Sequence, residues 1–124
     1  MRVLPLFAAA SLLWAPADLS AGSDQNGPVA EFVTFRLNPG VEDSAFLEAA
    51  KATGPVLEKL GGSSARFLTK DAEGVWTDIV IWSDLETALQ AAKQVVGDPE
   101  FAPFGSMINP ETVHMRHVPI AWSM

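Results

Sequence analysis

Val75-Trp76-Thr77-Asp78-Ile79-Val80-Ile81-Trp82, running straight into Ser83-Asp84-Leu85-Glu86, is the stretch that decides the fold. The first part is rich in β-branched and aromatic residues and reads as a strand. The second part is a capping box, in which the Ser83 hydroxyl and the Glu86 carboxylate serve the orphan backbone donors of a helix start. That helix carries Leu85, Ala88, Leu89, Ala92, Val95 and Val96 on one side and stops at Gly97. A strand that passes into an amphipathic helix without a loop belongs to a sheet covered by helices.

Upstream of this stretch, Asp71-Ala72-Glu73-Gly74 is a polar turn, and Ala65 to Thr69 is a short strand that pairs through it as a hairpin. Before that, Asp43 or Ser44 caps a helix with Phe46, Leu47, Ala50, Val56, Leu57 and Leu60 at helical spacing, ended by Gly61-Gly62. Pro55 lies inside it and must kink or break it. Val29 to Leu37 alternates Phe32, Thr34 and Arg36 with Val33, Phe35 and Leu37, which predicts a strand closed by Asn38-Pro39-Gly40. Downstream, Asp98-Pro99 opens a short helix through Phe101 and Phe104, and Thr112 to Ile120 reads as the last strand.

The order is therefore βαββαβ, an α+β, ferredoxin-like arrangement: a four-stranded antiparallel sheet with both helices on one face and the first and third strands at its centre. Alternation sorts each strand into two sets. Val33, Phe35, Leu37, Ile79, Ile81, Val113 and Met115 suit the helix-covered face. The opposite set holds Phe32, Thr34 and Arg36, then Trp76, Asp78, Val80 and Trp82, then His114, Arg116 and Val118. Two tryptophans and a phenylalanine on an open face form an apolar patch that soluble monomers rarely display, so a homodimer is expected. Between two such sheets Asp78 would pair with Arg36 or Arg116, and the enclosed lining would resemble a small-molecule pocket.

Ahead of the domain stands a leader. Arg2 is followed by an apolar run from Val3 to Trp14, too short for the roughly 20 residues that span a bilayer. Small residues allow cleavage after Ala17 or after Ala21, so residues 1–21 read as a signal peptide, residues 22–28 as a flexible lead-in and residues 29–124 as the domain. The expected location is periplasmic or secreted, with no membrane contact after cleavage. The chain has no cysteine and thus no disulfide. Its net charge of −7, which loss of Arg2 and Asp18 leaves unchanged, repels nucleic acid.

The residues Glu31-Phe32-Val33-Thr34-Phe35-Arg36-Leu37-Asn38-Pro39-Gly40, Trp76 to Trp82 with the Ala-rich helix after it, and Val113-His114-Met115-Arg116-His117 together resemble the dimeric α/β barrel superfamily. Within it the chain is similar to bacterial members near the antibiotic biosynthesis monooxygenases. The resemblance spans about residues 29–120. It implies a homodimer with a cavity between sheet and helices in each subunit, and in some members cofactor-free oxygenation of polycyclic phenols. Other branches degrade haem, using an Asn on the first strand and a helical His; this chain has Thr34 and Arg36 there and no His in its predicted helices.

On that basis no cofactor and no metal is expected. His114 is the candidate general acid or base, with an interface histidine as the plainer alternative. His117 falls on the other face by parity. Asp78 is either its catalytic partner or half of a structural ion pair. Phe32, Thr34, Arg36, Trp76, Trp82 and Arg116 are the remaining pocket candidates, with core or dimer packing as the plainer reading of the two tryptophans; Phe101, Phe104 and Met107 are either a lid pivoting at Gly105 or simple core packing. Two functions follow: a monooxygenase-like enzyme acting on a small, flat, hydrophobic molecule, or a non-catalytic periplasmic small-molecule-binding or stress-related dimeric protein. A third possibility is a lumen filled by its own side chains, which a cavity well under 300 Å³ would favour.

Overall fold

The computed structural model describes residues 26–124; the leader, both cleavage points and the first part of the lead-in lie outside the described residues. Four strands, β1 (Val29–Phe35), β2 (Ser63–Lys70), β3 (Trp76–Trp82) and β4 (His114–Pro119), form one sheet in the order β2-β3-β1-β4. All neighbours run antiparallel, with β1 and β3 at the centre. Four helices, α1 (Asp43–Ala52), α2 (Gly54–Leu60), α3 (Leu85–Val96) and α4 (Ala102–Ser106), cover one face. This is the ferredoxin-like α+β fold expected from the element order.

Local chemistry explains the boundaries. Pro55 divides the first helix into α1 and α2, with Thr53 as the joint, because a proline deep in one helix would remove a backbone hydrogen bond. Asp71 accepts from the Glu73 and Val75 N–H groups at 2.9 Å, which closes the β2–β3 turn. Those donors, Val75 foremost, hold its carboxyl below the ordinary value of 3.8. The cap of α3 differs from the expected box. Asp84, not Ser83, is the N-cap, its side chain accepting from Thr87 N–H at 2.7 Å, while the Ser83 N–H donates to Gly62 O. Gly62 sits at φ +92, and a Cβ there would collide with the Thr87 methyl, so glycine is required where β2 passes under α3.

The first and last strands are shorter than expected. Leu37 leaves β1 to make an isolated bridge with Ile108, and Pro110–Thr112 winds into a 3-10 turn capped by Asn109 before β4 begins. The core is aromatic at its centre. Fully buried Phe46 meets Phe35 and Trp76 edge-on at 5.6 and 4.9 Å and stacks on Phe104 at 5.1 Å.

The register overturns one expectation. Val33 faces Asp78 and Phe35 faces Trp76 across β1–β3, so Trp76, Asp78, Val80 and Trp82 all lie on the helix-covered face, buried. Ile79 and Ile81 belong to the open face instead, beside Phe32, and both are only half-buried. Each phase of this strand is largely apolar, and a buried ion pair decides between them. The open face remains apolar with different residues: Phe32, Phe67, Ile79, Ile81 and Val118, with Phe67 57% exposed.

Candidate functional site

A cavity lies between the helix-covered face of the sheet and helices α2, α3 and α4. Its walls are apolar: Leu57 from α2, Ala91, Ala92 and Val95 from α3, Phe101 and Phe104 at α4, and Val33, Phe35, Val80 and Met115 from the sheet. Four residues break that pattern, namely Glu31, Arg66, Asp78 and Trp82. Alternation aims each of them into the interior.

Arg66 and Asp78 make a paired clamp. The Nε and Nη2 groups of Arg66 donate to the two carboxylate oxygens of Asp78 at 3.0 and 2.8 Å. A third donor, Nη1, reaches Thr53 Oγ1 at 2.7 Å, and that hydroxyl donates in turn to Ala50 O. The guanidinium carbon also lies 5.5 Å from the centre of the Phe104 ring. This network joins β2, β3, the α1–α2 joint and α4, and leaves both Asp78 oxygens engaged.

Glu31 and His117 form a second buried pair directly opposite one another on β1 and β4. His117 Nε2 is 2.7 Å from Glu31 Oε2, and since a carboxylate only accepts, Nε2 is the donor. Their side chains are 0% and 10% exposed. Oε2 is taken; Oε1 of Glu31 makes no hydrogen bond among the described residues. The indole N–H of Trp82 is buried without an acceptor.

The expected site residues are divided by the sheet. Asp78 and Trp82 line the cavity, while Trp76 packs under Phe46 outside it. His114 and Arg116 are exposed on the other face with half-buried Phe32 and Thr34, and Arg116 stacks over Phe32 at 4.9 Å. His114 and Asp78 therefore do not meet, and neither Arg36 nor Arg116 is the partner of Asp78. Arg36 lies beyond β1, exposed, and donates to Glu73 O at 2.8 Å. Of the expected lid, Phe101 and Phe104 do line the cavity, meeting edge-on at 5.8 Å.

Sequence reasoning missed Glu31 and Arg66. Glu31 shares parity with Val33 and Phe35, the signal that places it inside. Arg66 follows from the hairpin register, which sets it opposite Val80. The cavity itself measures about 40 Å³, room for a water molecule and far below a ligand site of some 300 Å³. Among the described residues, no group of three His, Cys, Asp or Glu side chains is placed to hold a metal, and no helix is long and apolar enough to cross a membrane.

No family model matches the chain, and no curated protein matches it. Solved structures do. A Bordetella bronchiseptica protein described as an antibiotic biosynthesis monooxygenase superposes with a TM-score of 0.66 at 16% identity, over 77% of this chain and 99% of that one. SnoaB, a cofactor-independent oxygenase from Streptomyces nogalater, gives 0.64 at 13% identity over 79% and 97%. A nipsnap family protein of unknown function from Agrobacterium tumefaciens gives 0.57 at 18% identity over 80% and 93%. At these identities the shared property is the fold.

Proposed function

We propose, taking the antibiotic biosynthesis monooxygenase-like fold as premise, that this chain is an exported homodimeric domain that oxygenates a small, flat, hydrophobic molecule without a cofactor. One observation supports the reading: an apolar pocket between sheet and helices, closed to about 40 Å³ as it stands, whose lining includes the Glu31–His117 and Arg66–Asp78 pairs. Apolar walls bind a flat hydrophobic body, and a few polar groups orient it. A cofactor-free oxygenation asks the protein for proton transfer and charge stabilisation. A substrate CH2 that loses a proton passes electrons to O2, and the resulting hydroperoxide loses water to leave a carbonyl.

Entry of such a molecule requires the wall to move. The helix α4, the shortest of the four, carries Phe104 and follows Phe101, and a movement of this segment would open the wall. Dimerisation is supported by the apolar open face, which a second copy would cover. Export is supported by residues 1–21.

The decisive experiment supplies anthrone, a flat neutral ketone with a doubly benzylic CH2, to the protein in chelator-treated buffer. Oxygen uptake with matching anthraquinone formation above the buffer rate is expected. Saturable quenching of tryptophan fluorescence with no oxygen uptake would favour the non-catalytic binding protein instead. N-terminal sequencing of protein from its own host, expected to begin at Asp18 or Gly22, tests export.

A further inference from the structure

The charges on the open face of the sheet are one-sided. Three rows of paired residues cross it, and the register gives the first as Thr69, Thr77, Thr34 and His114, running from β2 to β4. The second is Phe67, Ile79, Phe32 and Arg116, and the third is wholly aliphatic. The chain has 15 acidic side chains, and none stands in any of these rows. The face is therefore apolar toward β2 and carries its one fixed charge, a cation, on β4.

Arg116 differs from the other described arginines in what holds it. Arg66 is bound by Asp78 and Thr53, and Arg36 by the Glu73 carbonyl. Among the described residues Arg116 makes no hydrogen bond or ion pair, and its guanidinium carbon lies 4.9 Å from the centre of the Phe32 ring. Stacking engages a flat side of a guanidinium and leaves its N–H edge, the part that grips a carboxylate in two parallel bonds. Thr34 and His114, directly opposite one another in the next row, add a hydroxyl and a ring N–H to the same corner.

We infer that this β1–β4 corner binds a flat apolar monocarboxylate, its carboxylate held by Arg116 with Thr34 and its ring laid against Ile79. From Arg116 to Ile79 is two strand spacings, about 10 Å, which a carboxylate joined to a fused ring pair spans. Phe32, between them, carries the guanidinium.

Charge decides among ligand classes. A cation would meet Arg116 with no carboxylate in these rows to offset it. A neutral ring would gain the apolar contact and leave the guanidinium unmatched. A polyanion is opposed by the net charge of −7 wherever it extends over the surface, whereas that field is screened beyond about 8 Å and acts weakly on a single carboxylate at Arg116. The corner lies across the sheet from the cavity of the oxygenase reading and needs no movement of α4. A second copy centred on Phe67, toward the opposite edge of the face, leaves this corner at the rim of the subunit contact.

2-Naphthoate, titrated into the protein at physiological salt and followed by NMR, tests the site against 2-naphthamide, the same shape without the charge. Saturable binding of naphthoate is expected, with the amide weaker by about fivefold or more, the upper end for an ion pair open to water. Arg116→Gln should weaken naphthoate by the same factor and leave the amide unchanged; Arg116→Lys, a point charge without the fork, should fall between. Thr34→Val should weaken naphthoate about 2- to 10-fold, the range of one neutral hydrogen bond. Lys93→Gln, which removes an exposed charge from α3, should match wild type. Cross-relaxation from the naphthoate ring protons should reach the methyl groups of Ile79 and Thr34 and not those of Val80 and Met115, which line the sheet–helix cavity. No binding by wild type, equal affinity for acid and amide, or contacts to Val80 would each overturn the site. Loss of a dimer in Arg116→Gln would also overturn it, by assigning the guanidinium to a carboxylate of the second copy. Naphthoate binding at Ile79 by a monomeric wild type would uphold it and remove the subunit contact alone.

Discussion

Both faces of the sheet carry apolar side chains, and they differ in how they treat polar residues. On the helix-covered face Glu31, Arg66, Asp78 and His117 are sequestered in two short-range pairs. On the open face Thr34, Thr77, His114 and Arg116 sit among Phe32, Phe67, Ile79 and Ile81, at least partly accessible to solvent. Hydrophobicity alone does not tell the faces apart. What distinguishes them is whether a charged residue finds a partner at its own depth.

Removing one partner of the clamp should break the covered face most severely. Asp78→Ala leaves the Arg66 guanidinium, 20% exposed, without its carboxylate, and an uncompensated buried charge destabilises by about 3–5 kcal/mol. Urea unfolding should show that loss, and the joint replacement Arg66→Met with Asp78→Leu should recover most of it. A double variant as unstable as Asp78→Ala would mean that the pair is essential beyond charge balance. Thr53→Val comes next. It keeps the shape of a fully buried residue while removing the acceptor for Arg66 Nη1 and the donor to Ala50 O, for a loss of about 1–3 kcal/mol.

These residues also show where the sequence was legible. Element order, the break at Pro55 and the central pair β1–β3 follow from periodicity, proline geometry and handedness, all of which act locally or by topology. The faces of β3 did not, because Trp76, Val80 and Trp82 are as apolar as Ile79 and Ile81, and Asp78 biases its whole set toward solvent. The carboxylate is tolerated inside because Arg66, on the other strand of the same hairpin, meets it in two hydrogen bonds. Pairing of that kind depends on register. The Asp71–Gly74 turn does fix the register of β2 against β3, so Lys70 faces Trp76 and Arg66 faces Val80. Sorting β2 by that turn would have brought Arg66 and Asp78 to one face. His117 was placed on the helix side by parity and is there; the same parity holds for Glu31, the residue opposite it.

The open face should respond in the opposite manner. Phe67 is 57% exposed within one chain, so Phe67→Asp should alter the stability of a single subunit by no more than about 0.5 kcal/mol. If a second copy covers this face, the same change buries an unpaired carboxylate and should turn a dimer into a monomer by size exclusion with light scattering. An unaltered elution profile would move the subunit contact elsewhere, and a monomeric wild type would remove it.

The smallest effect lies at the edge of the covered face, where Asp84 caps α3. The Thr87 N–H holds the Asp84 carboxyl below its ordinary value of 3.8, the hydrogen bond favouring the charged form. A carboxyl depressed by folding contributes stability that is present above its unfolded value, near 4, and is lost as pH falls through the lower folded value. The contribution should thus be intact at neutral pH and fade only below about pH 4. Asp84→Asn separates bond from charge, because an amide oxygen still caps the helix but does not titrate. Melting temperatures at pH 7 should be close to wild type, and the drop between pH 4 and pH 2 should be shallower by this one group's share. Asp71, depressed for the same reason at the β2–β3 turn, keeps the remaining acid sensitivity in place, so a curve that flattened completely would contradict the assignment.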